Sequence, residues 1–288
     1  MRYLVTGGAG FLGSHLCDKL IAEGHYVICV DNYLTSSSKN IEHLAKNYRF
    51  EFLCADATSF KLDEKIDGIF HLASPTAPAQ YNRNPEMTLE VNTSGTLNLL
   101  ELARKYQIPM LYVSSIRVIE NISNCYINGK RNGESACIEY VDSYGVNAKI
   151  ARLGNVYGPR MAWDDSRVIP TFIRKINEEN SLTIFGDGEQ LDSFCYVDDI
   201  VNGIYMMFCK KQCPTLMEFG GEPISIKNLA VKIIEICDNK NTRIEFKTDY
   251  EASSAQIANP EKAIEILGWK PKVSLYDGLL KTIISLTK

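Results

Sequence analysis

A tyrosine and a lysine four positions apart, Tyr126 and Lys130 in NCYINGK, are side chains whose types and spacing could do chemistry. On an α-helix that spacing sets both on one face, so a phenol and an ammonium can share one reacting centre. A free phenol has a pKa of about 10 and is scarcely ionised at neutral pH; a neighbouring cation favours the phenolate and makes it usable as a base. The pair could equally be no more than a helix face, since the chain contains 15 tyrosines. Its meaning depends on what the rest of the chain brings to it.

The elements that must position such a pair are visible as a rhythm. Short apolar runs at 2–6, 26–30, 50–54, 68–72, 110–114 and 149–153 predict strands, and amphipathic stretches near 11–23, 39–47, 87–106 and 126–140 predict helices between them. Apolar strands alternating with helices predict an α/β fold: a doubly wound, Rossmann-type parallel sheet covered on both faces. Beyond about residue 160 the rhythm loosens, with GPRM, FGDGEQ and GGEP as turn-rich punctuation, which predicts a smaller, partly interleaved C-terminal α/β region.

The first strand runs into TGGAGFLGSH, with glycines at 7, 10 and 13. Glycines between a strand and a helix start allow a tight turn and close approach of a pyrophosphate, and the helix N-terminus supplies N–H donors and positive dipole. The second strand ends at Asp31, where a carboxylate can accept hydrogen bonds from ribose hydroxyls and repel a 2′-phosphate. No Arg or Lys follows until Lys39, so the expected cofactor is NAD rather than NADP.

With Asp31, TGGAGFLGSH is joined by Asp56, HLAS (71–74), VNTSGTLNLL (91–100), the Tyr126 and Lys130 pair, ARLGNVYGPR (151–160) and FGDGEQ…SFCYVDD (185–199). Together these resemble the extended short-chain dehydrogenase/reductases that modify nucleotide-activated sugars. HLASPTAPAQYNRNP, VYGPRM and SFCYVDD are most similar to the UDP-glucuronate decarboxylase branch. The resemblance covers nearly the whole chain. It implies an NAD-binding Rossmann domain over 1–160 and a nucleotide-sugar region over 161–288, with segments interleaved.

The resemblance also implies roles. Tyr126, Lys130 and Ser115 would be the catalytic groups for oxidation at C4 of the sugar. Tyr126 would exchange the 4-hydroxyl proton, Lys130 would lower its pKa and hold the nicotinamide ribose, and Ser115 would bond the substrate oxygen. Cofactor contacts would come from Gly7, Gly10, Phe11, Leu12, Gly13, Asp31, Asn32, Asp56, Ala57, Leu72, Ala73, Ser74, Val113, Tyr126, Lys130 and Leu153. Substrate contacts would come from Ser74, Ser115, Asn155, Arg160, Val168 and Phe185. Arg160 reads equally as a solvated loop charge, and Phe185 in LTIFG equally as a core aromatic. A homodimer through the 87–106 and 126–140 helices is expected on the same ground.

Three departures bear on the reaction. The decarboxylase pattern carries Glu where Arg117 stands, and the acidic pair of the sugar 4,6-dehydratases is replaced by Ile116-Arg117. Asp192 occupies a position where relatives commonly have Arg, and SSAQIANPEKA (253–263) offers no Arg where relatives often supply another. Arg117 and Asp192 either pair with each other or face solvent. The segment from Ser115 to Tyr126 is short, so the site should be more open or covered by something else. C4 oxidation keeps its groups while later steps lack theirs, so 4-epimerisation or net 4-dehydrogenation is expected. The alternatives are decarboxylation of UDP-glucuronate, to UDP-xylose or its 4-keto intermediate, and a non-catalytic NAD-binding subunit or sensor.

Composition sets outer bounds. The chain has 288 residues, 45% hydrophobic and 23% charged, with a formal net charge of −4, which is ordinary for a soluble globular protein and lacks a basic footprint for nucleic acid. No apolar run approaches the roughly 20 residues of a membrane span, so no membrane partner is expected. The N-terminus reads as strand rather than signal peptide. Nine scattered cysteines without CxxC and four dispersed histidines suggest neither a disulfide framework nor a metal site, and a cytoplasmic location is expected.

Overall fold

The computed structural model describes residues 1–247 and 255–287. The first two residues of the 253–263 stretch lie outside the described residues.

The apolar runs pair as a seven-stranded parallel sheet: β1 (Arg2–Thr6), β2 (Tyr26–Asp31), β3 (Phe50–Cys54), β4 (Gly68–His71), β5 (Met110–Ser115), β6 (Ala148–Leu153) and a later strand, β10 (Leu216–Phe219). Their order is β10-β6-β5-β4-β1-β2-β3, with the chain reversing its direction of travel across the sheet between β1 and β4. In such sheets ligands lie outside the carboxyl ends of the strands at that reversal. The edge strand β10 comes from well beyond residue 160, so the sheet draws on both the early and the late part of the chain.

Helices cover both faces. α1 (Phe11–Ala22) and α7 (Val197–Cys209) pack together on one side, and α4 (Thr96–Tyr106) and α5 (Cys125–Tyr144) on the other. The central strands are buried on both faces, with Leu4, Val5, Ile69, Phe70, Leu111 and Tyr112 inaccessible to solvent. That explains why they read as continuous apolar runs rather than alternating ones.

The remaining elements are α2 (Pro78–Arg83), α3 (Pro85–Glu90), α6 (Val168–Glu179), α8 (Ile226–Ile236), α9 (Glu261–Leu267) and α10 (Leu275–Leu286), with β7 (Asn155–Tyr157), β8 (Ser181–Phe185), β9 (Leu191–Tyr196), β11 (Pro223–Ser225) and β12 (Arg243–Lys247). Strands β11, β9 and β7 form a small sheet, and β12 pairs with β8 in another.

Two helix expectations change. The 39–47 stretch is not a helix but two short 3₁₀ turns, Ser38–Asn40 and Glu42–Leu44. Side chains tie this stretch elsewhere: Asn40 donates to Ala9 O at 2.9 Å, and His43 contacts Asp18 at 2.6 Å. The 87–106 stretch is helical but passes through a π turn, Val91–Gly95, between α3 and α4. Such bulges are frequent at functional sites.

Candidate active site

At the carboxyl ends of the strands one continuous cavity of about 990 Å³ runs from the glycine loop to the β7–β9 sheet. Every site residue expected from the sequence lines it except Phe185. Phe185 ends β8, in the separate β12–β8 sheet, and is half exposed. That pairing carries it away from the wall, so it is neither part of the cavity nor a core aromatic.

The cofactor end is built by backbone. Gly7 N–H donates to Val30 O at 2.8 Å, which ties the loop to the tip of β2. A Cβ on Gly13 would lie 2.1 Å from Gly7 O, so only glycine lets α1 start this close under the loop. Asp31 accepts from Ala9 N (3.1 Å), Tyr33 N (2.9 Å) and Ser36 Oγ (2.7 Å), which fixes its carboxylate at the cavity wall. Asn32 donates to Asp56 at 2.9 Å, and Thr58 bonds the same carboxylate. Burial alone would raise the pKa of Asp56, but these bonds outweigh it and hold it below the ordinary range. A glycine cradle, an exposed helix start and a fixed carboxylate fit a dinucleotide.

The catalytic end lies where β5 meets α5. Asn124 caps α5 by accepting from Ile127 N at 2.8 Å, and Tyr126 and Lys130 follow on the buried face. Gly133 lets the helix lie on the sheet, since a Cβ there would be 2.4 Å from the Tyr112 hydroxyl oxygen. Lys130 Nζ donates to Val113 O at 2.8 Å and stands 6.0 Å from the centre of the Tyr126 ring. Burial brings the Lys130 pKa down to about 7, with Glu134 opposing. Tyr81 stacks on Tyr126 with ring centroids 5.4 Å apart.

The phenol itself sits above its ordinary pKa because it is buried; a hydrogen bond with Ser115 and the charges of Arg117 and Arg167 pull the other way, and Tyr81 adds to the rise. Arg117 and Arg167 are thus cations acting on Tyr126, and Lys130, beside the same ring, is also engaged by the Val113 carbonyl and Glu134.

Toward the small sheet, Ser74 Oγ accepts from Asn92 Nδ2 at 2.8 Å, and Asn92 Oδ1 accepts from Tyr112 at 3.1 Å. Asn92 lies in the π turn, polar and fully buried; its signal in the sequence is its place in VNTSGTLNLL, a polar residue on the inner face of a helix. Asn155 Nδ2 is 3.4 Å from Asp192, which also accepts from Gln256 N at 3.0 Å. Arg117 takes Glu120 as its partner, at 3.3 Å. Arg117 and Asp192 therefore neither form an ion pair nor face solvent: both line the cavity, each with a different partner. Glu120, which no motif placed, comes in as the partner of Arg117.

Arg160 adopts a left-handed backbone (φ 69°), reaches the wall and bonds Asp18 at 2.6 Å; its Nη1 is buried without a hydrogen-bond partner. Val168 opens α6 at the same wall. Arg167 was missed. It grips Asp165 at 2.6 Å and lies 5.6 Å from the Phe11 ring, with only the charged turn DDSRV as its signal. The short 115–126 segment is held down by Arg131, which donates to the carbonyls of Val118, Ile122 and Glu120. Across the mouth, Ala79 N donates to Ser166 Oγ at 3.2 Å, so α2 and the 160s loop supply cover from the opposite side.

The sequence profile of the NAD dependent epimerase/dehydratase family matches residues 3–216 of the chain. The chain belongs to that family. It is accordingly an NAD-dependent enzyme of the epimerase/dehydratase kind. Among relatives, the chain is 38% identical to UDP-glucuronic acid decarboxylase 1 of Arabidopsis thaliana, over 98% of this chain and 69% of that protein. It is 36% identical to UDP-glucuronic acid decarboxylase 1 of Xenopus tropicalis, over 98% and 71%. Among solved structures, UDP-glucuronic acid 4-epimerase from Bacillus cereus, determined with UDP-glucuronic acid and NAD, superposes with a TM-score of 0.89 at 28% identity, covering 100% of this chain and 99% of that one.

Proposed function

We propose that this epimerase/dehydratase family enzyme oxidises C4 of a nucleotide-linked uronic sugar, UDP-glucuronate or a close analogue, in a 4-epimerisation or net 4-dehydrogenation. One observation carries the proposal: Ser115, Tyr126 and Lys130 share a cavity wall with the glycine cradle, while steps beyond C4 find no acidic side chain at position 117. The substrate class is supported by relatives named for UDP-glucuronic acid.

In this scheme Ser115 bonds the 4-hydroxyl. Tyr126, ionised with the help of the Ser115 bond and the Arg117 and Arg167 charges that oppose its burial, takes the 4-hydroxyl proton as the C4–H bond breaks and a ketone forms. Bound NAD supplies the acceptor for the C4 hydride. Lys130 fixes the ribose and the floor of the site through Val113. Tyr81, stacked on the phenol, excludes water from one face. The cavity, about 990 Å³, runs without a break from the glycine loop to these residues.

Decarboxylation is the second reading, favoured by the 36–38% identity to named decarboxylases. A 4-keto uronic acid loses CO₂ readily, so C4 oxidation is common to both. Incubation with UDP-glucuronate, with CO₂ captured and the sugar followed by NMR, separates them. A 4-epimer or 4-keto product that keeps C6 is the expected result; CO₂ released at the rate of C4 oxidation would replace the first reading with the second. No turnover on any nucleotide sugar would leave an NAD-binding subunit.

A homodimer through the α3–α4 and α5 helices, and a reducing cytoplasmic location for the nine free cysteines, belong to the same proposal. No helix among the described residues is long and apolar enough to cross a membrane.

A further inference from the structure

We propose that Arg117 is the residue that recognises a carboxylate on the sugar and keeps it attached: it selects uronic sugars over neutral ones and, once C4 is oxidised, opposes loss of CO₂. The inference rests on the proposed C4 oxidation and names the specificity of that same site.

Its basis is position. The Arg117 backbone N–H donates to Ser115 Oγ at 3.2 Å, and the two side chains line the cavity beside Tyr126. With the 4-hydroxyl at Ser115 and Tyr126, a carboxylate at C6 is only two bonds from C4 and within reach of the adjoining wall. Arg117 and Arg167 are both cations on that wall, but Arg167 is held by Asp165 at 2.6 Å.

The hold of Arg117 on its present partner is loose. Its two bonds to Glu120 measure 3.3 and 3.5 Å, against about 2.7–2.9 Å for a well-made charge-assisted fork. The same molecule makes such a fork elsewhere, between Arg152 and Glu134 at 2.8 and 2.7 Å. An incoming carboxylate can therefore compete for the guanidinium, while Glu120, its side chain only 9% exposed, stays beneath and fixes the direction of the cation. Asp192 also lines this end. Burial raises its pKa, and Glu120 adds to that rise while Arg117 opposes it.

The consequence for chemistry follows from charge. In decarboxylation the C5–C6 bond breaks, its electron pair moves into the C4 ketone as an enolate, neutral CO₂ departs, and C5 later takes a proton. A cation bound to the carboxylate stabilises the starting state more than a transition state in which that charge is leaving. Binding of that kind raises the barrier.

The test uses the NAD-loaded protein. In a Tyr126→Phe background, which stalls turnover, calorimetry compares UDP-glucuronate with UDP-glucose. Adding Arg117→Gln should weaken UDP-glucuronate binding about 10- to 100-fold and UDP-glucose binding by less than about threefold, the loss expected for one charged hydrogen-bonded contact. Arg117→Lys should recover part of the preference. With Tyr126 intact, the fraction of oxidised sugar that loses CO₂ should rise in Arg117→Gln. Equal weakening of both ligands, no weakening, or a falling CO₂ fraction would overturn the inference. Failure of the wild type to oxidise any nucleotide sugar would instead overturn the proposed function, and the calorimetric comparison would still decide whether Arg117 recognises the carboxylate.

Discussion

Tyr126 and Lys130 occupy one helix face, yet burial shifts them in opposite directions: the phenol is pushed up and the ammonium down to about 7. Tyr126→Phe should lower turnover by about 10² to 10⁴, the usual worth of a proton-transfer group, and leave NAD binding intact by fluorescence titration. Full activity would return the pair to a mere helix face. Lys130→Met should impair both NAD binding and turnover. Lys130 also makes a stability prediction whose sign can be worked out. A lysine whose folded pKa is depressed leaves the unfolded chain holding more protons between about 7 and 10.4, so wild-type stability rises with pH across that window. Removing the lysine removes that slope. The melting temperature of Lys130→Met minus that of the wild type should therefore become more positive as pH is lowered from about 10 to 7; a flat difference would show that the lysine is not held near neutrality. Asp31, fixed by three donors at the cofactor end, predicts clear preference for NAD(H) over NADP(H); equal titration curves for the two would contradict it.

At the level of elements, the site depends on how closely α5 lies on β5. Gly133→Ala would drive a methyl group into the Tyr112 hydroxyl and toward Asn92 O, at 2.4 and 2.9 Å. Overpacking of this kind costs about 1–3 kcal/mol and shifts backbone, so denaturant unfolding should show that loss, with turnover falling because Tyr126 and Lys130 ride on the displaced helix. Unchanged turnover would mean that the helix does not set the catalytic geometry. The 116–124 segment depends on Arg131 in the same way. Arg131→Ala frees three carbonyls at once, and hydrogen exchange of that segment should rise before the rest of the domain opens.

For the whole molecule, the helices that carry the site also present apolar residues outward: Leu89, Leu97 and Ile138 are exposed on α3, α4 and α5. A symmetric dimer would cover them. Light scattering at micromolar concentration should give the mass of two chains, and Leu97→Arg with Ile138→Arg should reduce it to one. A monomeric wild type would remove the proposed assembly.

Much of this protein is written locally. Short runs rich in Val, Ile and Leu, alternating with helical patterns, fit strands buried on both faces, so the parallel sheet was legible in the chain, and glycines 7, 10 and 13 with Asp31 pointed to a cofactor end because tight turns and ribose contacts depend on residue type. The four-residue spacing set Tyr126 above Lys130 for the same reason. What the spacing could not say is which charges face the phenol. That depends on the 3₁₀ turn after β5, which brings Arg117 to the cavity, and on α6, which brings Arg167, both distant in kind from the motif itself. The 39–47 stretch carried a helical pattern but folds as two 3₁₀ turns, with Asn40 and His43 tied to the glycine loop and α1. Phe185 went with β8 to another sheet because strand pairing is a long-range choice. Local periodicity determined the elements and the ends of the site; only tertiary packing decided which buried charges meet there, because a charge takes its partner from whatever the fold places within a few ångströms, at any distance along the chain.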